Sequence, residues 1–217
     1  MLIDPAVEPE QSLADANAPT AEAWHASIGG VPLSRVVVTA EPATLEMAVE
    51  RSERGQLTEF VNGMLVEKDM GYEESTVGMN IGTELRVASG RGTLGRVSGA
   101  DGMIRMAGGN GRMPDVSFTH VDDIPPGYRR GAKVSPLPPT IAVEVVSENN
   151  TAAEMTAKVA EYFASGSRLV WLVYWEEARI RVHTSPTEHR DLHADNELDA
   201  GDVLPDFRVR VADLVRV

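Results

Sequence analysis

Two acidic residues occupy positions where an acid needs a reason. Glu144 lies inside Ile141-Ala142-Val143-Glu144-Val145-Val146, a run that otherwise reads as a buried strand, and Asp115 follows Pro114 at the start of a second strand, Val116 to Thr119. A buried carboxylate without a partner costs several kcal/mol, so such a side chain is paired, protonated or bound to a cation. Two of them on adjacent strands would seat a hard divalent ion, because Mg²⁺ accepts one or two carboxylates and keeps several waters. An ion held there would offset phosphate charge and generate a nucleophile from water.

The elements that must position these acids can be read from spacing. Strand alternation puts Ala142, Glu144 and Val146 on one face, with Val143 and Val145 on the other. After Ser147-Glu148-Asn149-Asn150 a helix is predicted from about Thr151 to Ser165, with Met155, Val159, Tyr162 and Phe163 inward and Lys158 at the edge of that stripe. Gly166 ends it, and Arg168 to Tyr174 reads as another buried strand. Strand, helix, strand predicts a right-handed crossover in a mixed sheet. Upstream, Thr44 caps a helix that runs to Arg54, and Asn62-Gly63 marks a tight hairpin within Leu57 to Glu67. Tyr72 to Ala88 is a helix facing inward through Val77, Ile81 and Leu85. Short strands near Leu94 to Ser98 and Gly102 to Met106 precede Gly108-Gly109-Asn110-Gly111. That cluster reads as a hairpin turn, since the Gly-Lys-Ser/Thr ending of a phosphate loop is missing. Arg179 to His183 and Arg190 to His193 form an antiparallel β extension, and Val211 to Val215 a short closing element.

The 217 residues suffice for one domain with a substantial core, and 42% hydrophobic with 24% charged residues is a globular composition. No apolar run approaches the roughly 18 residues of a membrane span. The absence of cysteine and of a signal peptide makes the cytoplasm the default location. A net charge of −13 argues against non-specific adhesion to nucleic acid but allows a local basic groove. The best local patch is Arg129, Arg130 and Lys133, in the Pro-rich loop His120 to Pro139. Residues 1–40 carry Asp4, Glu8, Glu10, Asp15 and Glu22 with no Lys or Arg before Arg35, which predicts a flexible acidic tail and a folded domain over 41–217.

Several motifs in this order resemble the widespread prokaryotic family of putative restriction endonucleases within the PD-(D/E)xK nuclease superfamily. They are Glu59-Phe60-Val61-Asn62-Gly63, Met70-Gly71-Tyr72-Glu73-Glu74-Ser75, Pro114-Asp115 and Glu144-Val145-Val146-Ser147, then Lys158-Val159-Ala160-Glu161-Tyr162, Arg168 to Val173 and Gly201 to Phe207. The resemblance implies a restriction-endonuclease-like α/β fold, a mixed central sheet flanked by helices. It also implies endonuclease activity on a nucleic acid, DNA in the first instance, with Mg²⁺ as cofactor and Mn²⁺ as a substitute. In the superfamily the acid pair binds the ion and a lysine two residues beyond the second acid helps to activate water. Here that slot holds Val146. The resemblance therefore carries the lysine's role onto Lys158, where it would orient the water or stabilise the transition state, and Glu74 matches the acid of the first core helix, a ligand to a second ion. Nucleases that cut two strands are often dimers, and the extension at residues 179–193 offers an edge for pairing.

Each residue also has a plainer reading. Asp115 could cap a strand start, Glu144 could pair with an arginine, and Glu74 could favour the helix dipole. Glu154 precedes Lys158 by four residues, the favourable order for an exposed helical ion pair. His183, His189 and His193 raise zinc, but without Cys or a fixed spacing they read as surface polar positions. The competing function is a catalytically silent nuclease fold that serves as a binding or assembly module, and an enzyme acting on another phosphoester stands behind it.

Overall fold

The strand that carries Glu144 lies inside a six-stranded sheet. The computed structural model describes residues 21–129 and 131–217. In chain order the elements are α1 (Ala21–Ser27), β1 (Val36–Val37), α2 (Leu45–Glu53), β2 (Thr58–Val61), β3 (Met64–Glu67), α3 (Tyr72–Ala88), β4 (Gly95–Gly99), β5 (Ile104–Arg105), β6 (Gly111–Arg112) and β7 (Val116–His120). They continue with β8 (Ile141–Val145), α4 (Ala152–Ala164), β9 (Leu169–Tyr174), β10 (Arg179–His183), β11 (His189–His193), β12 (Glu197–Ala200), β13 (Leu204–Arg210) and α5 (Val211–Leu214). The main sheet has the order β11-β10-β9-β8-β7-β4, and a second runs β1-β3-β2-β6-β5.

The main sheet is mixed, as the sequence predicts. The pair β8 and β9 is parallel and joined through α4, whereas β7 with β8 and β10 with β11 are antiparallel. Because β8 is covered on both faces, all five of its residues are buried. One face, through Val143 and Val145, joins the core under Val77, Ile81 and Leu85 of α3. The other, through Ala142, packs on Met155, Val159 and Tyr162 of α4. Glu144 alternates onto the α4 side with Ala142.

Local signals act where they were read. Thr44 caps α2 by accepting from the Met47 amide, and Asn62 and Gly63 take positive φ of 46° and 84° in the turn between β2 and β3. The Gly108–Gly111 segment turns β5 back on β6. The hairpin β12–β13 went unread, although Leu198, Leu204 and Phe207 complete the core beside Trp171. Its sequence alternates too irregularly, with a register shift at Asp199/Ala200, to signal a strand pair by itself.

Residues 1–20 of the expected acidic tail lie outside the described residues. Residues 21–40 contribute to the body: Ile28 and Val31 are buried, β1 pairs with β3, and Arg35 is held inside by Glu154. The apolar residues within the acidic stretch supply that anchorage. Among the described residues no helix is long and apolar enough to cross a membrane.

Thr151 ties this segment to α4. Its hydroxyl accepts from the Glu154 amide at 3.1 Å, capping the helix, and donates to the Gly30 carbonyl at 3.0 Å. Thr151→Ala is expected to lower the unfolding free energy by about 1–2 kcal/mol, measured by urea denaturation.

Candidate active site

Register brings the two sequence-selected acids together. Val116 pairs with Val143 in the antiparallel β7–β8 ladder, so Asp115, one step before β7, stands opposite Glu144. Both are buried, and each has its own lysine. The Lys68 ammonium lies 2.7 Å from Asp115 Oδ1, while the Val145 amide donates to Oδ2 at 2.6 Å. Lys158 reaches Glu144 Oε2 at 2.9 Å, and the Tyr162 hydroxyl donates to Oε1.

Lys158 is not the exposed partner of Glu154. Its side chain is 5% exposed, and Glu154 instead accepts from Arg35 Nη1 through both carboxylate oxygens. The reason is tertiary: α4 lies between the two sheets, so positions 154, 158 and 162 all point into protein rather than solvent. The second sheet uses this arrangement. Glu59 on β2 accepts from the Met113 amide at 2.9 Å, pairs with Arg112 at 3.0 Å, and lies 3.8 Å from Lys158. Arg112 bridges on to Glu161 at 2.7 Å, whose other oxygen accepts from Asn110.

Burial and charge set the protonation states. Burial alone would raise the Glu59 carboxyl, but Lys158, Arg112 and Lys68 outweigh it and hold the group at about 2. Burial raises Glu144, with the Lys158 charge opposing and the Asp115 charge assisting that rise. Lys158 loses charge stability by burial yet is pushed above the ordinary lysine value by Glu144 and Glu59, so it is an ammonium and not a general base. Burial and the neighbouring Glu144 likewise keep the Tyr162 hydroxyl protonated.

Glu74 does not join this cluster. Its carboxylate folds back over Gly71, and it lines a separate groove with Glu148 and Glu176. Among the described residues no three acidic, His or Cys side chains gather as a metal-holding group. The expected basic patch also differs. Arg130 lies outside the described residues, and Lys133 is engaged by Glu53 at 2.5 Å. His183 is buried against His189, ring centroids 5.0 Å apart across β10–β11.

Glu59, Lys68, Arg112 and Tyr162 were not selected from sequence. Glu59 carried a usable signal, an acid beside Phe60 and Val61 in the first strand of the Asn62-Gly63 hairpin, comparable to Glu144 among its apolar neighbours. Tyr162 read as an apolar stripe residue, and nothing local distinguishes Lys68 from any lysine that follows a hairpin.

Comparison with known proteins bears on the fold and the family. No curated protein matches the chain. A solved structure described as "a putative nuclease belonging to DUF820" from Anabaena variabilis ATCC 29413 is similar to it, with a TM-score of 0.66 over 77% of this chain and 97% of that one. At 15% identity this likeness speaks for the fold. The Uma2 family, whose description is "Putative restriction endonuclease", matches residues 43–212, spanning β7, β8 and α4 with all the residues of the buried cluster. The chain belongs to the Uma2 family.

Proposed function

We propose that this protein is a divalent-metal-dependent endonuclease that hydrolyses phosphodiester bonds of nucleic acid. The observation that carries the reading is the register: Asp115 opposite Glu144, each carboxylate buried with one lysine. The donor set suits a hard ion. Each of the four carboxylate oxygens takes one bond from the protein and keeps a lone pair, and Mg²⁺ needs only one or two carboxylates beside its waters. Asp115 and Glu144 would hold the ion, which supplies Lewis-acid charge on the phosphate and acidifies a water.

The chain's own residues do the remaining work. The Lys158 ammonium supplies positive charge and hydrogen-bond donors beside Glu144 for the charge that develops on a phosphate in the transition state. Tyr162 and Lys158 hold the Glu144 carboxylate in one orientation, and the Val145 amide does the same for Asp115. Glu59 is a positioning residue, acting through Lys158 and through Met113 beside the Pro114-Asp115 turn.

One observation favours a second reading. Lys68 and Lys158 already balance both acids, so the cluster could serve as a neutral internal frame in a binding module. Calorimetric titration of Mg²⁺ and Mn²⁺ into wild type and Asp115→Asn, with cleavage of plasmid, single-stranded DNA and RNA on the same samples, separates the two. Metal binding and cleavage in the wild type, both lost in Asp115→Asn, is the expected result. A wild type that takes up no metal and cuts nothing, while Asp115→Asn only melts earlier, assigns the frame.

A further inference from the structure

Most of the described lysines and arginines are engaged by carboxylates, but three arginines without such a partner converge. Arg86 at the end of α3, Arg91 in the following loop and Arg96 on β4 share one hollow with Tyr128, and Arg96 lies 4.8 Å over the Tyr128 ring. Among the described residues none of the three has a carboxylate within ion-pair distance. The loop is shaped for this. Gly90, Arg91 and Gly92 all take positive φ, and a Cβ at Gly92 would fall 2.0 Å from the Arg86 guanidinium. A non-glycine residue in the left-handed region is uncommon and costs about 1–2 kcal/mol, so Arg91 is held there against its own preference.

Arg86 and Arg91 also border a neighbouring cleft of about 390 Å³ between α3 and β4. Its walls include Met70, Met79 and Val97, and Asp115 with Val116 closes one side. The cleft thus abuts β7, which starts one residue after the candidate catalytic acid. Met79 and Val87 on the α3 side of this cleft are 69% and 53% exposed. A duplex offers an apolar wall only thymine methyls and sugar edges, because its base faces are stacked on one another. Unpaired bases present apolar faces, and proteins that bind them combine cationic contacts to phosphate with apolar or aromatic platforms.

We infer that this cleft and the adjoining arginine hollow bind single-stranded nucleic acid, phosphates on Arg86, Arg91 and Arg96 and unpaired bases against Met79 and Tyr128, and that this strand leads to Asp115. The inference rests on the nuclease reading for what happens at Asp115, but its binding test does not need catalysis. Fluorescence anisotropy in EDTA measures the full chain against a labelled oligonucleotide of about 15 nucleotides and its duplex, within the range of single-strand site sizes. Wild type binds the single strand more tightly. Arg86→Gln/Arg91→Gln weakens binding about tenfold or more and reduces the slope of log affinity against log salt by about 1.4, the counterion contribution of two phosphates. Lys133→Gln, at a lysine already held by Glu53, changes neither.

Unchanged binding by the double variant, a preference for duplex, or no binding at all overturns the inference, while metal-dependent cleavage, if present, leaves the nuclease reading standing. Arginine-dependent binding by a protein that cuts nothing upholds the cleft and removes the nuclease reading. Sedimentation of the same samples covers the other occupant: a dimer that dissociates in the double variant assigns the cleft to a second copy of the chain and overturns the inference.

Discussion

Glu59→Gln is expected to lower the unfolding free energy by about 3–5 kcal/mol, more than any other single change in the buried cluster, because it strands charge rather than removing it. One carboxylate serves Arg112, Lys158 and the Met113 amide. Glutamine keeps one acceptor oxygen for these three donors and offers no charge to either cation. Arg112 retains Glu161 and Lys158 retains Glu144, which limits the loss to that range. The effect also has a pH signature. The Glu59 carboxyl is held at about 2 against an ordinary value of 4.5, so its contribution is present above pH 4.5 and is lost as pH falls towards 2. Wild type and Glu59→Gln therefore differ most at neutral pH and converge on acidification. Urea unfolding of both proteins at neutral pH and at about pH 3 checks this. A constant difference at the two pH values would mean that the lost interaction is packing and not charge.

Glu144→Gln should behave in the opposite way, with a large effect on chemistry and a small one on stability. The glutamine keeps an oxygen for Tyr162, and Lys158 keeps Glu59 at 3.8 Å, so neither neighbour is left alone. Removing the charge opposite Asp115 takes away half of the acid pair. Metal-dependent cleavage is expected to fall about 1000-fold, the upper range for deleting one element of transition-state electrostatics. The melting temperature should shift less than in Glu59→Gln. Cleavage rates with Mn²⁺ and thermal melts on the same preparations provide the comparison. Undiminished cleavage by Glu144→Gln would remove this residue from the reaction, whatever the melts show.

The contrast between these two acids follows from where each sits. Glu144 is the only polar residue in β8 and stands in the register position opposite Asp115. Glu59 lies in the second sheet and meets α4 from the other side, through Lys158 and Arg112. The same lysine thus contacts the acid proposed for chemistry and the acid that holds the frame. Lys158 cannot be read as belonging to one role alone.

Much of this is legible in the amino-acid sequence. Period-two alternation placed Glu144 on one face of a buried strand, helical spacing set Val77, Ile81 and Leu85 inward, and Asn62-Gly63 and Thr44 marked a turn and a cap. These signals are local, because backbone geometry forces them within a few residues. The pairing of charges was not local. Glu154 and Lys158 have the spacing of a surface ion pair, yet Glu154 bonds Arg35, in the turn before β1, and Lys158 bonds Glu144 on β8, because two layers enclose α4 and exclude the water that would have favoured the local pair. Glu74 shows the converse: the right residue type in the right motif, carried by helix geometry to a different groove. The sequence by itself determined the strands, the helices and the two acids worth attention. Only the tertiary structure decided their partners, since a buried charge is satisfied by whichever opposite charge the packing of distant elements brings within reach.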